Sequence, residues 1–406
     1  ATVALGVGAS TAMFTIVDAV MLRPFTLPDP GGLVVVWETN RERDINRFSG
    51  SVANYVDWRR DATSSADLGA FEIRSDNRTD GPQAEQINGA VASAPLFRAL
   101  GIRPAHGRLF GDDEDRPGHA RVAVLGYEYW QRHFGGDAAA VGRAVVINGQ
   151  PNEIIGIMPP MRAPFVADMW RPLAPDVAGL DRGDHNVIVV GRIAPGRTVE
   201  QAEAELQTIA ARLPAEYPRT NTGWSARIES LYDAVVEAPT RRSMIVLMSA
   251  VGVLLLIACV NVANLMLARG ARRQREVSTR LALGASRGRV AAQLLVEAGV
   301  LSALGTGAGL VVAAWSLRLA EWLFPNELGI GHLDPTGGSA LTLNPYALAF
   351  AGLAAIVTTF MVGVAPAPRM SRTRVSGARS ASRTVTEGPR AGRLRKALVV
   401  AEIALA

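Results

Sequence analysis

Long apolar stretches are the feature that most constrains this chain. Residues 243–268, 298–317 and 343–367 contain no Arg, Lys, Asp or Glu, and residues 1–22 contain only Asp18, near their far end. About 20 apolar residues in a helix span the roughly 30 Å hydrocarbon core of a bilayer. The sequence therefore predicts four transmembrane helices and excludes a uniformly soluble enzyme.

The first apolar stretch could alternatively be a secretory signal peptide. It has no basic leader and no evident small-residue cleavage site, and Arg23 follows it. We therefore favour a membrane span. The sequence starts inside this stretch without a Met and stops inside another, residues 397–406, so we expect both ends to be cut within helices.

Arginine positions predict the orientation of the spans, because Lys and Arg accumulate in cytoplasmic loops. Residues 269–289 hold seven arginines against one Glu, and residues 368–396 hold eight arginines and Lys396 against one Glu. Residues 320–342 hold three acidic residues and no Lys or Arg. The two basic segments are therefore predicted to be cytoplasmic, and residues 23–242 to lie outside the cytoplasm.

The charge of the chain is uneven. Residues 23–242 hold 25 arginines and 29 carboxylates, a net charge of −4, although the whole chain carries +5. The positive charge thus comes from the predicted cytoplasmic segments. This distribution excludes nucleic-acid binding as the explanation of the net positive charge.

The large external block has the pattern of a mixed α/β domain. Residues 33–37 and 121–125 are short β-branched stretches typical of strands. Residues 144–157 predict a hairpin at Asn148-Gly149, with Gln150-Pro151 suggesting a loop longer than two residues.

A strand–helix–strand unit is predicted near the end of this block. Residues 186–193 form the first strand, and Thr198 with Gln201 forms a capping box that opens a helix closed by Pro214 and Pro218. Residues 226–232 return as a strand. Subdomain boundaries are candidates near residues 80 and 185.

The predicted fold class is an α-helical transmembrane bundle, with four spans plus the start of a fifth, carrying a large mixed α/β extracytoplasmic domain. The predicted segments are the first span 1–22, the external domain 23–242, the second span 243–268, a cytoplasmic loop 269–297, the third span 298–323, an external loop 324–342, the fourth span 343–367, a basic cytoplasmic linker 368–396 and the start of a further span 397–406.

The residues that usually carry chemistry are sparse. Lys396 is the only lysine and lacks preceding glycines, which excludes a Walker A loop, and the single Cys259 excludes an intramolecular disulfide and a cysteine zinc site. The five histidines lack metal-ligand spacing, and the acidic run 112–115 lacks an EF-hand pattern and predicts a solvated turn. We therefore predict no catalytic residue, metal or cofactor.

Two features within the spans have structural and functional interpretations. Gly305 and Gly309 superficially resemble a nucleotide-binding loop, but they lie in an uncharged span at the small-xxx-small spacing that lets membrane helices approach closely. Asp18 is an intramembrane acid, which raises a functional hypothesis. Its position near Arg23 favours a paired charge at a helix end.

The basic segment 269–298 mixes apolar residues and arginines over a short predicted helix. Such a helix could dock in a groove of a cytoplasmic partner, with its arginines meeting acidic side chains or lipid phosphates. The alternative is that the arginines only anchor the two flanking spans.

Several long strings resemble a known family. QREVSTRLALGASRGRVAAQLLVEA, VNVANLMLARGARRQRE before it, the opening ALGVGASTAMFTIVDAVMLRPFTLPDP and residues 100–160 are similar to MacB/FtsX-type ABC transporter permeases of the duplicated-permease subgroup. The strings occur in the family's order and cover nearly the whole chain. The resemblance implies one span, a large external domain and three further spans, with a second permease repeat elsewhere in the same protein.

The resemblance also implies a cytoplasmic ABC ATPase as a separate partner, contacted by a coupling helix between the second and third spans. The coupling helix would consist of Arg275, Glu276, Val277, Arg280, Leu281, Leu283, Gly284 and Ala285. Where the family usually has a more apolar pair, this chain has Ser278-Thr279.

These observations lead to a permease-type subunit that passes ATP-driven motion of its partner to the external domain, for export or extraction of a substrate. Its expected location is the bacterial cytoplasmic membrane. The alternative is a membrane-anchored sensor or scaffold whose external domain binds a ligand or envelope protein without transport. A membrane enzyme is a third hypothesis, which requires a buried polar cluster with a perturbed acid or base in a cleft.

Overall fold

The computed structural model describes residues 2–81, 83–161, 163, 165–176, 179–272, 279, 283, 286–323 and 343–364. They fall into two compact units. The helical unit comprises the described parts of residues 1–22, 239–328 and 341–406, and the α/β unit comprises those of residues 23–238.

The described helices are α1 Thr2–Val17, α2 Val52–Asp61, α3 Ala94–Leu100, α4 Tyr127–Phe134, α5 Val199–Glu216, α6 Pro218–Asn221, α7 Leu231–Val235, α8 Ala238–Arg272, α9 Arg287–Leu323 and α10 Pro345–Val364. A π-helical turn, Asp18–Leu22, extends α1. The described strands are β1 Leu33–Asn40, β2 Ile45–Phe48, β3 Gly50–Ser51, β4 Ser65–Arg78, β5 Glu85–Ala92, β6 His106–Gly107, β7 Val122–Leu125, β8 Ala144–Ile147, β9 Gln150–Ile157, β10 Met169–Pro172, β11 His185–Ile193 and β12 Trp224–Ser230.

Helices of the helical unit match the apolar stretches. Three helical segments are long and apolar enough to cross a membrane: Thr2–Leu22, Ala238–Asn264 and Leu295–Ala320. At the predicted fourth span, the described apolar segment of α10 is shorter, Pro345–Phe360. Large apolar side chains cover their outer surface; Trp315 is 73% exposed and Ile356 67%. An apolar surface of this extent is typical of helices that face lipid.

The α/β unit is built on one mixed sheet. Its strands follow the order β12-β1-β11-β4-β5-β10-β7-β9-β6, with β2, β3 and β8 paired to its side. The predicted strands at residues 33–37 and 121–125 are confirmed as parts of β1 and β7. Neither residue 80 nor residue 185 divides the unit, because β4 pairs with both β5 and β11.

The predicted hairpin is confirmed, but its expected longer loop is wrong. Ile147 pairs directly with Gln150, so the loop is the two residues Asn148-Gly149. Both have positive φ, 51° and 77°, which is the geometry of the tight turns that match strand twist. Pro151 pairs with Val146 inside β9.

The strand–helix–strand unit is present with one strand inserted. Thr198 and Gln201 form the predicted capping box of α5, and Pro214 lies inside that helix instead of closing it. β11 and β12 are not neighbours, because β1 lies between them and is antiparallel to each. Sequence periodicity contains no information about this insertion, since β1 comes about 150 residues earlier in the chain.

Alternating residues of the strands pack on opposite faces of the sheet, as the two-residue period of a strand requires. Val34 and Val36 contribute to a core with α2 and α5, where Trp58 and Leu206 are fully buried. Leu33 and Val35 contribute to the core on the other face, with α3. A third cluster packs α4 against β7 and β9.

Candidate functional site

The predicted coupling helix lies almost entirely outside the described residues. Of its eight residues the structure describes Leu283, whose side chain is 83% exposed and whose N–H donates to the carbonyl of Thr279 at 3.0 Å. The flanking helices are described: α8 as far as Arg272, and α9 from Arg287, where the Ser286 hydroxyl accepts from the Arg289 N–H. Residues 273–286 lie between α8 and α9 in the sequence.

Gly305 and Gly309 lie where α9 packs on α1. A Cβ built on Gly305 would come within 2.7 Å of the Val3 Cγ1 atom, and one on Gly309 within 2.9 Å of the Ala4 carbonyl oxygen. Gly8 of α1 faces the same contact, since its Cβ would lie 2.8 Å from the Gly309 oxygen. At Gly8 and Gly309 the two backbones therefore approach too closely for a side chain, and at Gly305 the Val3 side chain fills the space.

Asp18 and Phe14 of α1 contact residues at the start of α10. This carboxylate is 1% exposed, and its Oδ2 accepts from Asn344 Nδ2 at 2.7 Å. The rings of Phe14 and Phe350 stack at a centroid distance of 4.5 Å. Sequence analysis placed Asp18 at a helix end beside Arg23 and predicted neither its burial nor its bond to Asn344. The bond could not be predicted from local sequence, because Asn344 is 326 residues away.

These contacts fix the relative directions of the helices. Val3 of α1 contacts Gly305 of α9, and Gly8, further along α1, contacts Gly309 and Val312, further along α9. Along α10 the order reverses, because Asp18 meets Asn344 while Phe14 meets Phe350. α1 therefore runs parallel to α9 and antiparallel to α10.

The α/β unit contains a buried polar cluster, which sequence analysis missed. Nδ1 of His185 on β11 lies 2.7 Å from Oε2 of Glu38 on β1, and Glu38 is 1% exposed. Its other oxygen accepts from Asn54 Nδ2 at 2.9 Å and from the Ser51 N–H at 3.1 Å. A signal was present, because Glu38 continues the buried Val34 and Val36 face of β1 at the same two-residue spacing.

The cluster extends from Asn54 to the α5–α6 region. Asn54 Oδ1 accepts from Arg182 Nη1 at 3.0 Å and from Asn221 Nδ2 at 2.9 Å. Arg182 also pairs with Asp57 at 2.7 Å and lies over the Tyr217 ring at 3.6 Å. These bonds connect β1, α2, β11 and α6 around one set of buried groups, whose evident role is structural.

His185 makes this cluster pH-dependent. Burial lowers its pKa, but the contact with Glu38, together with the charge of that carboxylate, outweighs burial and raises the pKa above 6.5. A raised folded-state pKa gives stability that is fully present below pH 6.5 and is lost as the pH rises through the raised value.

We therefore expect the thermal midpoint of the purified protein to fall between pH 6 and pH 9, because deprotonation removes the cation beside Glu38. In H185Q, which keeps a donor but does not titrate, we expect a clearly smaller fall. Thermal unfolding at both pH values measures the difference. An equal fall in both proteins would assign the pH dependence to other groups.

The acidic run is more than the solvated turn that we expected. Asp113 is solvent-exposed, but Asp115 is buried and accepts from the N–H groups of Ala94 and Ala174 at 3.1 and 2.8 Å. Burial raises the pKa of Asp115. Asp115 therefore anchors the first turn of α3. Within the described ranges, no set of three His, Cys, Asp or Glu side chains is placed to hold a metal ion.

The α/β unit also has an open groove of about 720 Å³. Its floor consists of Leu27, Phe97, Ile102 and Phe110, and Arg98 and Arg103 are among its lining residues. Arg98 is paired with Asp67 and Asp112.

Two family profiles match successive parts of the chain. Residues 1–209 match the MacB-like periplasmic core domain, and residues 248–375 match the FtsX-like permease C-terminal domain. The first match covers α1 and most of the α/β unit, and the second covers the described residues of the helical unit from 248 onward.

Curated relatives extend these matches. The chain is 28% identical over 280 residues to the pyoverdine export ATP-binding/permease protein PvdT of Pseudomonas syringae pv. tomato, covering 66% of this chain and 39% of that protein. It is 26% identical over 237 residues to the macrolide export ATP-binding/permease protein MacB of Burkholderia thailandensis, covering 56% of this chain and 35% of that protein. The chain thus spans well under half the length of these relatives.

Solved structures are similar to the chain at lower identity. The periplasmic region of MacB from Actinobacillus actinomycetemcomitans aligns at 14% identity with a TM-score of 0.36, covering 53% of this chain and 92% of that one. The extracellular domain of the ABC-type transporter YknZ aligns at 14% identity with a TM-score of 0.37, covering 48% of this chain and 99% of that one. From the two family profiles, we conclude that the chain belongs to the MacB/FtsX-type permeases of ABC transporters.

Proposed function

We propose that this permease passes ATP-driven motion of a partner ATPase to its external domain, for export or extraction of a substrate. The packing of α9 on α1 is the observation that carries the proposal. α9 follows the segment 273–286, which would meet the ATPase, and α1 leads through Leu22 into the α/β unit at Arg23. The close backbone contact at Gly309 supports coupled movement of the two helices.

The proposed organisation follows the predicted segments: a span at 1–22, an external domain at 23–242, and spans at 243–268, 298–323 and 343–367. Helix directions support the arrangement independently of the arginines. A first span leaving the cytoplasm should run parallel to the third and antiparallel to the fourth, as α1, α9 and α10 do. The membrane is proposed to be the bacterial cytoplasmic membrane.

Orientation predicts the result of reporter fusions. We expect a reporter that is active only outside the cytoplasm to work at residue 150, in the β8–β9 hairpin, and to fail at residue 278. A reporter active only in the cytoplasm should show the reverse pattern. Activity of one reporter at both positions would overturn the topology.

The proposed partners are a cytoplasmic ABC ATPase, membrane lipid and a second permease repeat of the same protein. ATP hydrolysis is assigned to the ATPase, since the only lysine, Lys396, is not part of a Walker A loop. Arginines and apolar residues at 275–285 would form the docking helix, because such a mixture suits a groove with an acidic rim.

Charge reversal tests the docking helix. We expect R280E to reduce ATP hydrolysis by the reconstituted complex at least fivefold, because it places an acid against the acidic rim that the proposal requires. The ATPase rate and the amount of ATPase that co-purifies are the measurements. R219E, on α6 of the α/β unit, is the control with the same charge change.

The same experiment distinguishes the alternative function. A sensor or scaffold without transport predicts no ATPase in the purified complex. Unchanged hydrolysis and co-purification in R280E would show that the segment does not couple the two subunits.

A further inference from the structure

Asp18 is a buried acid within a candidate membrane span. Its exposed fraction is 1%, and it occupies the first position of the π-helical turn Asp18–Leu22. A carboxylate in a membrane span is costly, and π-helical turns are often found at functional sites. Helix packing alone could be provided by an apolar residue, so this position calls for a specific role.

Asn344 uses both ends of its carboxamide. Its Oδ1 accepts from the Ala347 N–H at 2.8 Å, which makes it the N-cap of α10, and Pro345 follows in the first helical position. Its Nδ2 donates to Asp18 at 2.7 Å. One side chain therefore joins the first turn of α10 to the π-helical end of α1.

The surroundings of Asp18 suit an acidic side chain. The carboxylate lies beside the N-terminus of α10, where the helix dipole is positive. The stacked Phe14 and Phe350 rings are a further contact between the same two helices. The next residues after Leu22 are those of the α/β unit, so the pair sits at the end of α1 from which motion would leave the helical unit.

We propose that the Asp18–Asn344 pair is a positioning contact that holds the outer end of α1 to α10, so that the two helices move together. This inference rests on the proposed function, since it names the contact through which motion would pass to the external domain. Without the pair, α1 should be able to shift separately from α10. The movement of the external domain during the ATPase cycle should then be smaller.

Exchange of the two side chains tests the pair. N344D keeps an N-capping side chain but places a second carboxylate against Asp18, so the contact is lost and the cap is kept. D18N combined with N344D restores an amide–carboxylate pair, in which the new carboxylate at position 344 caps α10 and accepts from the new amide at position 18. A merely structural requirement for Asn344 would not be rescued in this way.

The measurement is a nucleotide-dependent distance in the complete protein bound to its ATPase. Spin labels are placed on cysteines at Arg116, in the α/β unit, and Val246, exposed on α8, with Cys259 replaced by Ala. The distance distribution is compared without nucleotide and with ATP plus vanadate. We expect N344D to reduce the change at least threefold and the exchange variant to recover at least two thirds of it.

S302A is the matched control, because Ser302 donates a partly buried hydrogen bond from α9 to the Ala355 carbonyl of α10 at 2.9 Å. It should retain the full change. If N344D cannot be purified, N344A is measured instead and should show the same loss. A full change in N344D or N344A, or no recovery in the exchange variant, overturns the inference alone; no change in the unmodified protein overturns the proposed function and this inference with it.

Discussion

Replacing Gly309 with leucine is expected to destabilise the helical unit by more than about 2 kcal/mol, since overpacking of a close contact typically costs about 1–3 kcal/mol. The added Cβ would lie 2.9 Å from the Ala4 carbonyl oxygen and 3.1 Å from the Gly8 nitrogen. Both are backbone atoms of α1, so no side-chain rotation can relieve the clash and the helices must separate. Thermal unfolding in detergent and the monodisperse fraction measure the loss.

Gly307 provides the control two residues away on the same helix. A Cβ built there meets nothing within 4 Å. G307L introduces the same side chain and the same change in helix propensity, so its unfolding midpoint should remain near that of the unmodified protein. Equal losses in G307L and G309L would show that the effect comes from α9 itself and not from its contact with α1.

Replacing Arg171 with alanine is expected to destabilise the α/β unit by about 3–5 kcal/mol, the usual cost of removing one partner of a buried ion pair. Nη2 of Arg171 on β10 lies 2.8 Å from each carboxylate oxygen of Asp76 on β4. Asp76 is 2% exposed, and Asn148 of the hairpin also donates to it at 2.7 Å. Without Arg171 a buried carboxylate remains with an amide as its partner.

R132A is the corresponding surface control. Arg132 pairs with Asp168 at 3.1 Å, but its side chain is 62% exposed. Exposed pairs contribute about 0–1 kcal/mol, so R132A should change the unfolding midpoint little. A loss in R171A no larger than that in R132A would contradict the importance of burial at Asp76.

Local sequence patterns predicted the elements that depend on neighbouring residues. The apolar stretches predicted α1, α8 and α9, the β-branched runs predicted β1 and β7, and Thr198 with Gln201 predicted the start of α5. Asn148-Gly149 predicted the hairpin, because a tight turn requires two residues with positive φ. Each of these signals lies in or directly beside the element that it predicts.

Pairings between distant residues could not be predicted in this way. The insertion of β1 between β11 and β12, the His185–Glu38 contact and the Asp18–Asn344 bond join residues more than a hundred positions apart. Sequence analysis singled out Asp18 and placed it beside Arg23, but it did not predict the bond to Asn344, and it did not single out Glu38.

The sequence by itself predicted the membrane spans, the cytoplasmic side of the arginine-rich segments and the α/β domain. It could do so because hydrophobicity and charge act through composition and local spacing. Only the tertiary structure decided the partners of Asp18, Glu38 and Asp76 and which residues of α1 contact α9 and α10. A buried polar group is satisfied by whichever donor the fold brings within about 3 Å, and that distance is set by packing and not by sequence order.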